Sequence, residues 1–406
     1  MRHSLALLVT TAMCSVLSPW LASAADQADQ ISRGQYQAIL GDCAACHTKP
    51  GGQPLAGGAP LETPFGPLVP PNITPDLETG IGSWTAEEFK TMMRTGIGHG
   101  GKRLYPAMPY PAYTKMSDRD VSDLWQYLTT VQPVKNEVEA NQLPFPFNIR
   151  LSLFGWNLLN FTEGAYQADP SRSDEWNRGA YLVTGAGHCS TCHTPKTIMG
   201  ADQDGQFLKG SSLQGWYAPD ITGGSHAGVG SWTSDEIVTY LKTGVGTKTI
   251  ASGPMAEAIE NSTSKMEDAD LAAIAAYLKS LPDDSKATIA ALSANDPRMI
   301  AGQAIYRDNC SACHSADGKG AMPLFPALSG NQIVQQGSPE TPAHLVLFGS
   351  QGAQTDARPT KPSMPALAWR LSDKQVADVL TYVRNSWGNA APAVTESDIK
   401  ETRESR

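Results

Sequence analysis

Beyond its first two dozen residues the chain has no run of ~20 uninterrupted apolar residues, so no later segment offers a helix that could cross a membrane. It has no surplus of positive charge either. A formal net charge of −9 argues against nucleic acid and against simple adhesion to an anionic lipid surface. No stretch sustains the apolar–polar alternation of half-buried strands, which argues against an all-β sandwich or barrel. Cysteine is scarce: there are seven, Cys14 near the N-terminus and six more confined to three short motifs. In a chain of 406 residues that distribution leaves no scattered framework of disulfides.

What the N-terminus does have is Arg2 and His3, an apolar run from Leu5 to Leu21, and the small residues Ala22-Ser23-Ala24 ahead of Ala25-Asp26. This pattern predicts a secretory signal peptide over residues 1–24, cleaved after Ala24. Met13 before Cys14 argues against acylation of that cysteine, and Pro19 within a short run argues against an uncleaved anchor. Export to a periplasm-like compartment follows. Roughly 380 residues then remain, enough for two or three domains of ordinary size.

The six remaining cysteines form Cys43-Ala44-Ala45-Cys46-His47, Cys189-Ser190-Thr191-Cys192-His193 and Cys310-Ser311-Ala312-Cys313-His314. Each is C-x-x-C-H, the attachment motif for c-type haem. The two thiols, about one helical turn apart, suit addition to the two vinyl groups of the porphyrin, and the adjacent histidine suits the proximal iron position. A zinc site needs a second ligand pair, and none follows at suitable spacing. Three covalent haems are therefore expected, with Cys43, Cys46, Cys189, Cys192, Cys310 and Cys313 as attachment points and His47, His193 and His314 as proximal ligands.

Methionine is the usual sixth ligand in cytochromes c, because a soft neutral thioether favours Fe(II). A proline-flanked methionine follows each motif: Met108 in Pro106-Ala107-Met108-Pro109, Met255 after Gly253-Pro254, and Met364 in Pro362-Ser363-Met364-Pro365. The histidine-to-methionine separations are 61, 62 and 50 residues. Flanking proline suits an extended ligand strap. Competing methionines are Met92, Met93, Met116, Met199, Met266 and Met322; the imidazoles of His99, His226 and His344 are the candidates for bis-histidine ligation. His188 adjoins a haem cysteine and reads as a surface or hydrogen-bonding residue.

The first two segments repeat at an offset of about 148 residues. Asn72-Ile73-Thr74 matches Asp220-Ile221-Thr222, Gly82-Ser83-Trp84-Thr85 matches Gly230-Ser231-Trp232-Thr233, and Thr95-Gly96 matches Thr243-Gly244. Trp84 and Trp232 read as packing residues rather than redox relays; Arg33 and Arg178 as propionate partners or solvated helix residues. Thr85-x-x-Glu88, Thr233-x-x-Glu236 and Ser372-x-x-Gln375 are capping boxes. Closing amphipathic helices show apolar residues at Val121, Leu124, Trp125 and Leu128, at Leu271, Ile274, Ala275 and Leu278, and at Val376, Val379, Leu380 and Val383.

The expected fold is all-α: three tandem cytochrome c-like domains at 26–141, 170–283 and 298–391. An apolar linker at 142–169, a polar linker at 284–297 and a loose tail at 392–406 complete the layout. Within the first linker, residues 143–161 are too apolar for an ordinary solvated connection, and either pack on the domains or face a partner or membrane.

With these motifs, Tyr105-Pro106-Ala107-Met108-Pro109-Tyr110 and Glu175-Trp176-Asn177-Arg178-Gly179-Ala180-Tyr181, the chain resembles the triheme cytochrome c subunit of bacterial membrane-bound dehydrogenases over essentially its whole mature length. The resemblance implies a non-catalytic electron-transfer subunit on the periplasmic face of the inner membrane. Its partner would be an FAD-type subunit oxidising gluconate, glucose, sorbitol or fructose, or a PQQ-type subunit oxidising alcohols or aldehydes. A small third subunit is a further candidate partner. Electrons would pass to ubiquinone or a downstream oxidase, and the haem cysteines, histidines and methionines would be those already named. Some relatives carry a long C-terminal amphipathic membrane-binding tail; here the sequence ends at Arg406, which turns attention to residues 143–161. The competing readings are a free-standing shuttle cytochrome and a haem peroxidase with an open iron.

Overall fold

The computed structural model describes residues 18–283 and 289–404. Of the expected signal peptide only the backbone of residues 18–24 falls within that range, where it runs into the first helix; part of the polar linker also lies outside it. The chain builds three helical units, each opened by a long helix and closed by another that crosses it.

In the first unit these are α1 (Ser18–Leu40) and α5 (Asp118–Leu128), with α2 (Cys43–His47), α3 (Ala86–Thr95) and α4 (Tyr110–Tyr113) between them. Thr85 and Glu88 cap the start of α3 reciprocally, and Gly96, at φ 70°, ends it by donating its N–H to the Met92 carbonyl. Val121, Leu124 and Leu128 bury the inner stripe of α5, as their spacing predicts.

After α6 (Ser152–Asn160) the second unit repeats the plan with α7 (Asp174–Thr184), α8 (Ser190–His193), α9 (Ser234–Thr243), α10 (Gly253–Asn261) and α11 (Asp268–Ser280). It also carries an antiparallel hairpin, β1 (Lys209–Leu213) and β2 (Trp216–Asp220), joined by Gln214 and Gly215 at φ 52° and 76°. Two successive positive φ values are the signature of the type I′ turn, whose twist matches that of the strands it joins. The expectation of an all-α chain is corrected accordingly: the chain is mostly helical, with short antiparallel pairs in the second and third units. Strand β1 escaped the pattern because Lys209-Gly210-Ser211-Ser212-Leu213 carries almost no apolar alternation.

The third unit comprises α12 (Pro297–Asn309), α13 (Ser311–His314), α14 (Gln332–Gln335), α15 (Glu340–Phe348), the pair β3 (Ser350–Gln351) and β4 (Ser363–Met364), α16 (Asp373–Arg384) and α17 (Glu396–Glu404). Helix α17 overturns the loose tail expected at 392–406. Ile399 and Val394 are buried against α15 and α16, and the Arg403 Nε donates to Asp373 Oδ1 at 2.7 Å. Fully buried Arg384 anchors the turn before it, donating to the carbonyls of Pro392, Val334, Ser338, Gln336 and Gly337. Two apolar residues in a charged stretch were too few to reveal this packing in advance.

The crossing of opening and closing helices is so close that only glycine fits. A Cβ on Gly34 would lie 1.9 Å from the Asp123 carbonyl oxygen, one on Gly179 1.9 Å from that of Ala273, and one on Gly302 2.2 Å from that of Asp378. Backbone meets backbone at the same place in each unit.

The two repeated units clasp each other through matching tyrosines. Tyr36 donates to Asp270 Oδ2 at 2.7 Å and accepts from the Glu267 N–H at 3.0 Å, at the start of α11. Tyr181 likewise donates to Asp120 and accepts from the Ser117 N–H at 2.9 Å, at the start of α5. Self-complementary contacts of this kind are those of a two-fold dimer, here between halves of one chain. Tyr36→Phe with Tyr181→Phe strips a partner from two carboxylates and two backbone N–H groups, at about 1–3 kcal/mol for each tyrosine. Calorimetry should then resolve the first two units into separate, lower unfolding transitions; one unshifted transition would show that the clasp does not couple them. The third unit docks instead on the hairpin of the second: the Tyr217 N–H donates to Thr341 Oγ1 at 2.8 Å, and Thr341 Oγ1 donates to the Tyr217 carbonyl at 3.0 Å.

Candidate haem sites

Each C-x-x-C-H motif occupies a short helix directly after the unit's opening helix. Among the described residues the six motif cysteines form no disulfide. Burial pushes the Cys43 and Cys189 thiols up to about 12 and that of Cys310 up to about 11. A disulfide-exchange C-x-x-C needs a depressed thiol, so these surroundings do not suit that chemistry. Among the described residues no group of three or more His, Cys, Asp or Glu side chains could hold a metal ion by itself.

The three histidines share one arrangement. His47 Nδ1 lies 2.7 Å from the Pro71 carbonyl oxygen, His193 Nδ1 2.7 Å from that of Pro219, and His314 Nδ1 2.9 Å from that of Pro326. A carbonyl can only accept, so Nδ1 carries the proton and the lone pair is left on Nε2. Burial lowers the basicity of all three imidazoles, an effect that the proline contact opposes. A neutral ring oriented through Nδ1, with Nε2 available, is how a metal-ligating histidine is ordinarily held. Two thiols and such an imidazole on one short helix fit a covalently attached haem, with Nε2 toward the iron.

The prolines were missed in the sequence, although a signal was there. Pro71 and Pro219 each immediately precede the repeated Asn72-Ile73-Thr74 and Asp220-Ile221-Thr222. Asn72 Oδ1 accepts from the Thr74 N–H at 2.9 Å and Asp220 Oδ1 from the Thr222 N–H at 2.7 Å. These side-chain turns fix the backbone that presents the carbonyl.

The methionines sort by burial. Met92, Met93, Met116 and Met266 are core residues of the first two units. Met108, Met255 and Met364 are half-buried at the edges of three separate apolar clusters. Met108 stands in the turn before α4, and Met364 pairs with Ser350 across β3 and β4. Met255 departs from the extended strap expected of it: with Pro254 in the first turn of α10, it is helical. Proline pre-organises a first helical turn as readily as an extended strap, so the residue pattern could not separate the two. Met199 is exposed, and Met322 half-buried.

The other candidates found different work. His99 Nδ1 meets Glu88 Oε1 at 2.7 Å and its ring stacks on Trp84; His344 stacks on Trp216 at 4.0 Å between the second and third units. The buried Nε2 of His226 has no hydrogen-bond partner. Trp84 packs on the main core, and Trp232 against Tyr240. Arg33 and Arg178 pair with carboxylates of the closing helices: Arg33 Nε meets Asp123 Oδ2 at 2.7 Å, and Arg178 grips Asp270 with two contacts of 2.7 Å.

The first two motifs face one another across the clasp. His188, directly before Cys189, is half-buried edge-on to Tyr113, and its Nε2 lies 3.2 Å from the carbonyl oxygen of Gly41, two residues before Cys43. Asp42 is half-buried there, and desolvation with the nearby Glu257 of α10 pushes its carboxyl up to about 8. One hydrogen bond therefore joins the backbone leading into the first motif to the residue leading into the second.

A family model described as cytochrome c matches the chain three times, at residues 31–132, 177–282 and 299–387. The chain is 39% identical to the fructose dehydrogenase cytochrome subunit of Gluconobacter japonicus over 92% of its own length and 82% of that protein's. It is 38% identical to the gluconate 2-dehydrogenase cytochrome c subunit of Pantoea cypripedii, over 99% and 95% of the two chains. It is also 38% identical to the cytochrome c subunit of the quinone-type alcohol dehydrogenase of Gluconobacter oxydans strain 621H, over 94% and 84%. Cytochrome c domains carry haem c and its iron, and the relatives are electron-transfer subunits rather than catalytic ones. The chain belongs to the cytochrome c family, among the cytochrome subunits that carry electrons for dehydrogenases.

Proposed function

We propose that the chain holds three c-type haems in domains near 26–141, 170–283 and 298–404, and carries electrons from a dehydrogenase subunit to membrane ubiquinone or the respiratory chain. The observation that supports this most is the histidine held by a proline carbonyl, repeated in all three units. Cys43 and Cys46, Cys189 and Cys192, and Cys310 and Cys313 would hold the haems covalently, and His47 with Met108, His193 with Met255 and His314 with Met364 would supply their iron ligands. Bound haem iron supplies a reversible one-electron couple, in which 59 mV corresponds to a tenfold bias in equilibrium. The chain's own part is to fix each imidazole through a proline carbonyl. The contact of Gly41 with His188 supports direct passage between the first two units.

The partner is an FAD- or PQQ-type catalytic subunit oxidising a sugar, sugar acid, polyol or alcohol; fructose, gluconate and alcohol are the substrates in the relatives' names. The complex sits on the periplasmic face of the inner membrane, which the chain reaches through its signal peptide. Among the described residues no helix is long and apolar enough to cross a membrane, and the attachment we propose is peripheral. Purification from the native membrane fraction, followed by addition of gluconate, glucose, sorbitol, fructose and ethanol in turn, tests this. Rapid haem reduction by one of them, with a copurifying large subunit, is the expected result. No reduction by any, and no large subunit, would leave a free-standing shuttle as the better description.

A further inference from the structure

The apolar stretch 143–161 does both things that its composition allowed, on opposite faces. Leu153 and Trp156 of α6 are buried; the Trp156 Nε1 donates to the Met199 carbonyl at 2.8 Å, and Tyr110 Oη to Asn157 Oδ1 at 2.6 Å. These contacts pin the helix to the first unit and to the 198–199 turn of the second. The outward face then presents Leu151, Phe154, Leu158 and Leu159, with Phe145 before the helix and Ile198, 97% exposed, beside it. Soluble proteins rarely gather so many large apolar side chains on one exposed surface without a partner for it.

The charge around this patch is opposite to that of the whole molecule. No acidic residue occurs between Glu139 and Glu163, or between Glu88 and Asp118, in a chain that contains 40 of them. The second of these stretches contributes Lys102 and Arg103, and the first Arg150. The Arg103 guanidinium lies 5.2 Å from the centre of the Phe154 ring, and Arg150 stands 4.6 Å over Tyr105 and donates to the Arg103 carbonyl at 2.6 Å. A fixed helix with leucine and phenylalanine outward and Lys102, Arg103 and Arg150 beside it is the form that settles into an anionic bilayer surface.

We propose that α6 and its neighbours dock the protein on an anionic phospholipid surface, with the loop of Met108 on the lipid side. The same segment braces that loop: Tyr105 donates to the Phe147 carbonyl at 2.9 Å and Tyr110 to Asn157. This deepens the peripheral attachment proposed above and makes the first unit the exit toward a lipid-dissolved quinone. The net charge of −9 does not oppose it, because over a Debye length of about 8 Å the surface senses only the nearby cations.

The test is flotation of the full mature holo-cytochrome with vesicles of phosphatidylethanolamine and phosphatidylglycerol, and separately of phosphatidylcholine alone. The wild type should bind the anionic vesicles at least ~10-fold more tightly, with the difference shrinking in high salt. Phe154→Asp with Leu158→Asp, and independently Ile198→Asp, should weaken binding by on the order of 10-fold or more per large side chain withdrawn. All three side chains are exposed, and an unchanged circular dichroism spectrum and haem content would show that the variants fold. Wild-type protein that fails to float overturns the proposal, as do variants that bind like wild type. Variants that keep vesicle binding and lose the copurifying dehydrogenase subunit would assign the patch to that protein instead. None of these readings depends on substrate-driven haem reduction, so they stand apart from the test of the electron-transfer role.

Discussion

Gly179→Val is expected to unfold the second unit, and Gly179→Ala to destabilise it by about 3 kcal/mol or more. The added Cβ would stand 1.9 Å from the Ala273 carbonyl oxygen and 2.9 Å from the Tyr277 Cβ. The first of these obstacles is backbone, which cannot swing aside as a side-chain end can. Relief requires α7 and α11 to part, and parting uncovers Leu182, Val183, Leu271 and Ile274, all buried near this crossing. Gly34→Ala and Gly302→Ala should act alike in their own units, against Asp123 and Asp378. Gly155→Ala in α6 is the control: nothing lies within 4 Å of its added Cβ, so the better helix former should be neutral or stabilise by up to about 1 kcal/mol. Denaturant melts of each variant, with haem counted per chain, check this. If Gly179→Ala melts like Gly155→Ala, the helices do not cross as closely as described.

Met108→Ala, Met255→Ala and Met364→Ala should each lower one midpoint potential while leaving three haems attached per chain. Attachment depends on the cysteines and on a histidine held by a proline carbonyl, none of which these variants touch. Loss of a thioether removes the ligand that favours Fe(II). A fall of on the order of 100 mV would shift that one-electron equilibrium ~50-fold and impede flow through the unit. Met92→Leu, Met116→Leu and Met266→Leu should leave all potentials in place and cost under about 1.5 kcal/mol, because these side chains fill cores. Redox titration with visible spectra separates the two sets. A variant among the first three with unaltered spectrum and potential would remove its methionine from the axial assignment.

Much of the local structure could be read in advance because it is written at short range. The capping boxes at Thr85, Thr233 and Ser372 form as their three-residue spacing requires, and the closing helices bury the stripes marked by their apolar period. The hairpin after α8 was not legible, since its turn is Gln214-Gly215 rather than a stronger turn pair and its first strand is polar. The packed tail was not legible either. Ile399 matters only because the fold brings α15 and α16 to it, and Arg384 only because five carbonyls converge on its guanidinium. At the candidate sites the thiols and imidazoles announced themselves by spacing, whereas the prolines that orient the imidazoles lie 24, 26 and 12 residues away.

The chemistry on offer, and its count, follow from the order of residues alone. Three C-x-x-C-H motifs, three proline-flanked methionines and an internal repeat are covalent and local facts that no folding can alter. Tertiary structure decided which of those groups face each other. It paired Tyr36 with Asp270 and Tyr181 with Asp120, brought His188 to Gly41, and turned one side of an apolar segment inward and the other out. The reason is physical: spacing along a chain fixes neighbours only within a turn or two of helix. A contact over a hundred residues depends on how whole surfaces pack, and that is settled by the sum of many small burials rather than by any motif.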